Sequence, residues 1–246
     1  MKKIIFVTSS LNTTKTILDT KFPQKITNTY QLLDNLKKYW PKQAKVLMIS
    51  SDPLTFEIND FYANIYRKSF QLSDLEYQKI EILDDRYYPN LQQYDVLILA
   101  GGHTLTQNKF FNQINLKAQL ENYSGLMIGI SAGSMNLAGL VYGAPELENE
   151  AIDKNFQRYY PGLDLFPYRI IPHFNELKDI TLDNLKMVEE ILIPDSFNHD
   201  FYTLDDDSYF ILKDNHISLY GSSYYFEKGK TIYLNNQADF MRLIKY

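Results

Sequence analysis

The chain has 246 residues, 45% hydrophobic and 22% charged, with a formal net charge of −5 spread along its length, an ordinary globular composition with enough material to bury a core. It has no basic block, which argues against a nucleic-acid partner, and no cysteine, which excludes disulfides, cysteine-ligated zinc and a cysteine nucleophile and fits a reducing cytoplasm. No run approaches the roughly 20 apolar residues of a membrane helix, and the apolar run near Met1 is too short for a signal peptide, so a cytoplasmic protein off the membrane is expected.

Lys3 to Thr8 is an apolar run that reads as a buried strand. Thr27 to Trp40 has helical spacing through Leu32, Leu33 and Leu36. Lys45 to Ile49 is a second strand, closed by Ser50-Ser51-Asp52-Pro53. Glu57 to Phe70 reads as an amphipathic helix with Ile58, Phe61, Tyr62, Ile65 and Tyr66 on one face. Lys79 to Leu83 and Asp95 to Leu99 are further strands, followed by a polar helix from Leu105 to about Leu120 and a fifth strand from Gly125 to Gly129. Continuous apolar strands alternating with helices predict a parallel sheet covered on both faces. Tyr168 to Pro172 reads as a strand and Thr181 to Ile193 as a helix. After Phe201 the pattern turns to hairpins, one at Lys213-Asp214-Asn215-His216 and one at Glu227-Lys228-Gly229-Lys230. The class is α/β with an antiparallel C-terminal portion. Without a linker or an internal repeat, one domain over residues 1–246 is expected.

GISAGS (Gly129 to Ser134) sets Ser131 between a buried strand and a small apolar helix start, with glycine two residues to either side. A serine on such a turn presents its hydroxyl as a nucleophile, and its neighbours at those positions must lack side chains for strand and helix to approach. Standing alone, the same residues are a helix N-cap serine between two turn glycines. The Ala132 N–H is one donor to a developing oxyanion. AGGHTLTQ (Ala100 to Gln107) offers the second, at a strand's C-terminal end where open α/β sheets place their sites. It also sets His103 there as a substrate contact. Of the four histidines, His199 and His216 lie in polar turns. His173 ends the apolar run Arg169-Ile170-Ile171-Pro172 and is the candidate general base. None has metal-ligand spacing, and no metal or cofactor is expected. TLDDDSYF (Thr203 to Phe210) supplies Asp205, Asp206 and Asp207, one of which would orient the base.

Taken in order, ILAGGHTLTQ, GISAGS, IIPHF and LDDDSYF resemble the dipeptidase E and cyanophycinase group of serine peptidases, over roughly Ile4 to Gly221. The resemblance implies a doubly wound, mostly parallel sheet of the class I glutamine amidotransferase (flavodoxin-like) kind and the triad order serine, histidine, acid. An α/β-hydrolase would run serine, acid, histidine. It matches Ser131 to the nucleophile, His173 to the base, and Gly102 and Ala132 to the oxyanion donors. It sets Leu204-Asp205-Asp206-Asp207 against a Leu-Pro-Glu-Gly stretch, which puts Asp206 at the acid's position and leaves Asp205 and Asp207 open. Two features depart from the pattern. His103 stands where the glycine loop usually carries asparagine, and the segment after His173 has none of the arginines the group brings there. The chain's five arginines are Arg67, Arg86, Arg158, Arg169 and Arg242. Selecting a carboxylate side chain normally takes a positioned guanidinium, so the substrate is not expected to be restricted to peptides beginning with aspartate.

The expected function is hydrolysis of small peptides through an ester at Ser131. An inactive amidotransferase-like domain that binds a small molecule or partner, and a general esterase or amidase using the same residues, are the alternatives. Glutamine amidotransfer is disfavoured because it uses a cysteine at this turn. Monomer and homodimer are both open.

Overall fold

The fold is that of a computed structural model, which describes residues 3–236. Arg242 and both ends of the domain expected over 1–246 lie outside that range. Five strands are β1 (Ile4–Thr8), β2 (Ala44–Ile49), β3 (Tyr77–Leu83), β4 (Val96–Leu99) and β5 (Leu126–Ile130). They lie parallel in the order β3-β2-β4-β5-β1. Every residue of β1, β4 and β5 is buried. Strands covered on both faces have no polar side to show, so they read as unbroken apolar runs.

Helices α1 (Leu32–Tyr39) and α2 (Phe56–Leu72) cover one face, packing Leu36, Tyr66 and Phe70 against Val46, Ile98 and Ile128. Helices α3 (Thr104–Gln113) and α4 (Leu116–Leu120) cover the other, packing Phe110, Phe111 and Leu120 against Leu97, Leu99 and Met127. The sheet is therefore doubly wound, and the chain leaves β2 for β3 on one side and returns to β4 on the other, the reversal at which such sheets open a crevice.

Beyond β1 the same sheet continues through β6 (Ile170–Ile171), β7 (Phe201–Thr203), β8 (Tyr209–Lys213), β9 (His216–Glu227) and β10 (Lys230–Asn236). β8 pairs antiparallel with β1, and β9 with β8, β7 and β10; β6 and β7 are parallel. Both expected hairpins form. Asp214 and Asn215 take φ of 51° and 65°, and Lys228 and Gly229 take 50° and 73°, the left-handed pairs whose twist matches two-residue hairpins.

Several elements differ from expectation, each for a local reason. α1 starts only at Leu32, because Tyr30 and Gln31 sit at φ of 48° and 64°. Asn115, at φ 50°, splits the helix expected over 105–120 into α3 and α4. The strand expected over 168–172 shortens to Ile170–Ile171. The helix expected over 181–193 begins instead as a hairpin, Thr181–Leu182 with Leu185–Lys186, turned by Asp183 and Asn184 at φ 52° and 64°; helical turns start only at Met187. On α2, Ile58 and Phe61 are 56% and 42% exposed, whereas Asn59, Ala63, Tyr66 and Phe70 form the buried stripe. Asn59 is tolerated there because its amide reaches the Asp52 carbonyl and the Asp84 carboxylate.

The short helix α5 (Ala132–Asn136) is fastened to the sheet by Ser134, which is fully buried. Its Oγ accepts from the Thr8 N–H at 2.9 Å and lies 2.7 Å from the carbonyls of Thr8 and Gly129. Ser134→Ala would leave a buried amide without an acceptor. It is expected to destabilise the protein by about 1–3 kcal/mol, read as a lower urea midpoint at unchanged slope. An unchanged midpoint would show that the link contributes nothing.

Candidate active site

β5 ends at Ile130, and the next residue turns the chain into α5. That residue is Ser131, at φ 50° and ψ −114°, a conformation that side-chain-bearing residues adopt only under constraint. The constraint is visible on both sides. A Cβ on Gly133 would stand 2.2 Å from the Leu99 carbonyl oxygen, and one on Gly129 would stand 2.6 Å from Leu137 Cδ1. Gly133 is therefore required by the closeness of β4 and α5, while at Gly129 the backbone of Gly133 and Ser134 comes within 3.0 Å of where a Cβ would stand. The Ser131 N–H donates to the Thr8 carbonyl at 2.9 Å.

His173 follows β6 and Pro172 in a left-handed conformation, φ 57°. Its Nε2 lies 3.0 Å from Ser131 Oγ, and its Nδ1 lies 2.5 Å from Asp206 Oδ1. Of the three neighbouring aspartates, only Asp206 meets the imidazole. Asp205 accepts from Ser222 Oγ and Asp207 from the Asn12 amide, each at 2.6 Å. The His173 N–H donates to Ser9 Oγ at 3.2 Å, and that hydroxyl donates to the Leu204 carbonyl at 3.0 Å. Ser9 thus joins the histidine to the strap that carries Asp206.

Burial by itself would lower the His173 pKa. The bond to Asp206 and its charge, with smaller contributions from Glu176 and Glu146, outweigh burial, and the imidazole sits above the ordinary histidine value.

Ser131, His173 and Gly102 border one cleft of about 230 Å³. Gly102 has φ 152°, and a Cβ on Gly101 would lie 3.3 Å from Ser131 Cβ, so the glycine loop packs directly on the serine turn. Among the described residues, the N–H groups of Gly102 and Ala132 donate to no other residue.

His103 departs from expectation. It caps α3, with Nδ1 2.9 Å from Thr106 Oγ1 and accepting from the Thr106 N–H. Its ring borders an adjoining recess with Glu150, Gln157 and Tyr160 and does not line the cleft at Ser131. The capping bond turns the ring along its own helix. His199 stacks edge-on against Tyr159, and His216 bonds the Asp214 carbonyl. The four described arginines are engaged elsewhere. Arg67 holds the Ile80 carbonyl, Arg86 holds Asp60 and Asp84, Arg158 holds Asp195, and Arg169 holds Asp200.

Reading the sequence missed Ser9 and Glu146. Glu146 borders both the cleft and the recess, and the Thr104 hydroxyl donates to it at 3.4 Å. It is solvent-accessible at the rim, yet crowding by protein raises its carboxyl pKa, with His103 and Thr104 opposing the rise. Nothing in the loop Ala144-Pro145-Glu146-Leu147 signals a site. Among the described residues no three His, Cys, Asp or Glu side chains are grouped as metal ligands.

The model of peptidase family S51, the dipeptidase E family, matches residues 24–220. The chain belongs to this family. As an S51 member it is a serine peptidase, a hydrolase. The crystal structure of a peptidase from an acI-B1 Actinobacterium superposes on it with a TM-score of 0.62 over 98% of each chain at 15% identity, a likeness of fold. No curated protein matches the sequence. Among the described residues no helix is long and apolar enough to cross a membrane.

The S51 serine turn leaves no room at its second glycine. Gly133→Ala must displace backbone, because the obstructing atom is a strand carbonyl. It is expected to cost about 1–3 kcal/mol or more, with a lower thermal midpoint and slower labelling of Ser131 by a fluorophosphonate. Wild-type stability in this variant would contradict the packing described.

Proposed function

We propose that this S51 peptidase hydrolyses small peptides through an acyl-enzyme on Ser131, with His173 as general base and acid and Asp206 orienting the imidazole. The observation that carries the reading is the unbroken chain from Ser131 Oγ to His173 Nε2 and from His173 Nδ1 to Asp206 Oδ1. Both His173 and Asp206 are about one-third exposed, and Ser131 and His173 border the cleft. A domain that only binds would have no use for these three groups joined in this order. The cleft, about 230 Å³, is smaller than the roughly 300–1,000 Å³ of sites for drug-sized ligands, which supports short peptides as substrates.

In this mechanism Ser131 Oγ attacks the scissile carbonyl carbon as His173 Nε2 takes the hydroxyl proton. The C=O electron pair moves onto oxygen, where the Gly102 and Ala132 N–H groups receive it. The C–N bond breaks, and the leaving amine takes the proton from Nε2. A water molecule then attacks the ester, giving its proton to Nε2, which returns it to Ser131 Oγ as the acid product leaves. The Asp206 carboxylate accepts the Nδ1 proton in a hydrogen bond throughout. That bond holds the tautomer in which Nε2 is free to act as a base.

Ser131→Ala is expected to fold normally and to lose peptide turnover by about 10³-fold or more. Retention of normal activity would refute the assignment.

The base must be neutral to take a proton, so a raised His173 pKa moves the acid limb of kcat/KM above about 6.5, the ordinary histidine value. Activity should therefore fall as pH drops through that limb. In Asp206→Asn the two largest raising influences are lost, while burial and the smaller contributions of Glu176 and Glu146 remain, so the limb should shift to lower pH while kcat falls by roughly 10³–10⁴. A limb that stays in place in Asp206→Asn would remove Asp206 from its role.

A further inference from the structure

Helix α2 carries more apolar surface than the sheet can cover. Asn59, Ala63, Tyr66 and Phe70 are buried, whereas Ile58 and Phe61, three residues apart and so on one side of the helix, are exposed, with Leu54 exposed just before them. A hairpin, Thr14–Ile17 paired with Thr20–Pro23, lies along the same helix, and three contacts fix its course. The Ile26 N–H donates to Ser73 Oγ, Ser69 Oγ donates to the Gln24 carbonyl, and Lys21 Nζ donates to the Tyr62 hydroxyl. From Ile26 back to Lys21 a strand's rise covers about 16 Å, and from Ser73 back to Tyr62 a helix covers the same distance. The two therefore run side by side. Continued, this course brings the hairpin tip, Ile17 and Leu18, to the first turns of α2 beside Ile58.

The hairpin turns an apolar face outward. Ile17 pairs with Thr20 and Phe22 with Lys15, on the side opposite Lys21 and so away from α2. Leu18 sits on the turn at φ 46° with 93% of its surface exposed, where a two-residue hairpin favours asparagine, aspartate or glycine. Within one protomer a leucine gains nothing there. Ile17, Leu18, Phe22, Leu54, Ile58 and Phe61 together expose roughly 600 Å², the upper end of what a monomer ordinarily leaves in one patch and most of the about 800 Å² that each partner gives to a stable interface. The charges at its edge have both signs. Lys15 stands on the hairpin and Glu57 on α2, both exposed and neither in an ion pair among the described residues. A two-fold contact sets a patch against its own copy, so a patch of one sign would repel itself. This mixed one sets hairpin lysine against helix glutamate.

We propose that this face is the interface of a two-fold homodimer. The hairpin of each protomer packs on α2 of its partner, with Leu18 and Ile58 at the centre and Lys15 of one protomer near Glu57 of the other. Sedimentation velocity on the full chain, from submicromolar to high micromolar concentration, should give twice the chain mass. Leu18→Asp and Ile58→Asp should each raise the dissociation constant by about a hundredfold or more, the loss typical of a central interface residue. Both side chains are exposed in the protomer, so circular dichroism of the variants should match the wild type. Ile232→Asp, an exposed residue on β10, should leave the dimer intact. Lys15→Glu and Glu57→Lys should each weaken association about tenfold, and the double variant should recover most of the loss, which a misfolded chain would not do. A wild-type monomer at the highest concentration would overturn the proposal. So would a dimer that survives both aspartate substitutions, or a double charge variant that recovers nothing. Flotation of a monomeric wild type with phosphatidylcholine vesicles would overturn it too, by assigning the patch to a lipid surface.

Discussion

The Thr8 carbonyl accepts from the Ser131 N–H at 2.9 Å, and the next residue, Ser9, accepts from the His173 N–H and donates to the Leu204 carbonyl. Two consecutive residues at the end of β1 therefore touch the serine, the histidine and the strap that bears the acid. These three come from positions 131, 173 and 206, far apart in the chain, and each sits in irregular backbone. Ser131 and His173 both have positive φ, 50° and 57°, at a cost on the order of 1–3 kcal/mol each. Such conformations persist only where the surroundings leave no alternative. β1 supplies that rigidity because it is buried end to end and paired on both sides, parallel to β5 and antiparallel to β8. The same two pairings carry β5 to Ser131 and β8 to the neighbourhood of Asp206. The position of the first strand thus decides whether the site assembles.

The three aspartates after Leu204 show how a turn assigns identical side chains to different tasks. Leu204 is fully buried in the core. Its N–H donates to the Ile171 carbonyl and its carbonyl accepts from the Phe174 N–H, so the residue is pinned across the chain on either side of His173. With Leu204 fixed, the next three residues have little freedom. Asp205 turns to Ser222 on β9 and Asp207 to Asn12 after β1, while Asp206 alone faces the imidazole. The partners of Asp205 and Asp207 are neutral and hold the turn. The Asp206 partner is the one group whose protonation changes in the proposed reaction.

Much of this was legible in the sequence because burial on both faces leaves a simple mark. The strands β1, β4 and β5, buried on both faces, are mostly apolar runs, and the serine turn announces itself through two glycines, the second of which the Leu99 backbone carbonyl leaves no room to replace. The leucine before the aspartates favoured Asp206 while leaving Asp205 and Asp207 open, and in the fold that leucine is the pinned residue and Asp206 the aspartate beside the imidazole. Where expectation failed, short-range turn chemistry outweighed periodicity. Asp183-Asn184 took a left-handed pair and made a hairpin from the start of an apparent helix. On α2 the buried stripe accepts Asn59 because partners wait for its amide, a fact of tertiary structure that no helical spacing records. His103 looked like a substrate contact because it lies in the glycine loop, but a histidine one residue before a helix is also placed to cap it. Ser9 and Glu146 carry no pattern at all, and only the folded chain brings them to the site.

The carboxylates around the cleft bear on the histidine. Glu176 and Glu146 each add to the negative field that, after Asp206, keeps the His173 imidazole basic. A more basic imidazole takes the serine proton more readily but gives it up less readily to a leaving amine, so one field acts in opposite senses on the two halves of the proposed reaction. The acidic lining bears on the proton transfers of His173 because Glu146 stands close enough to the imidazole for each to feel the other's charge.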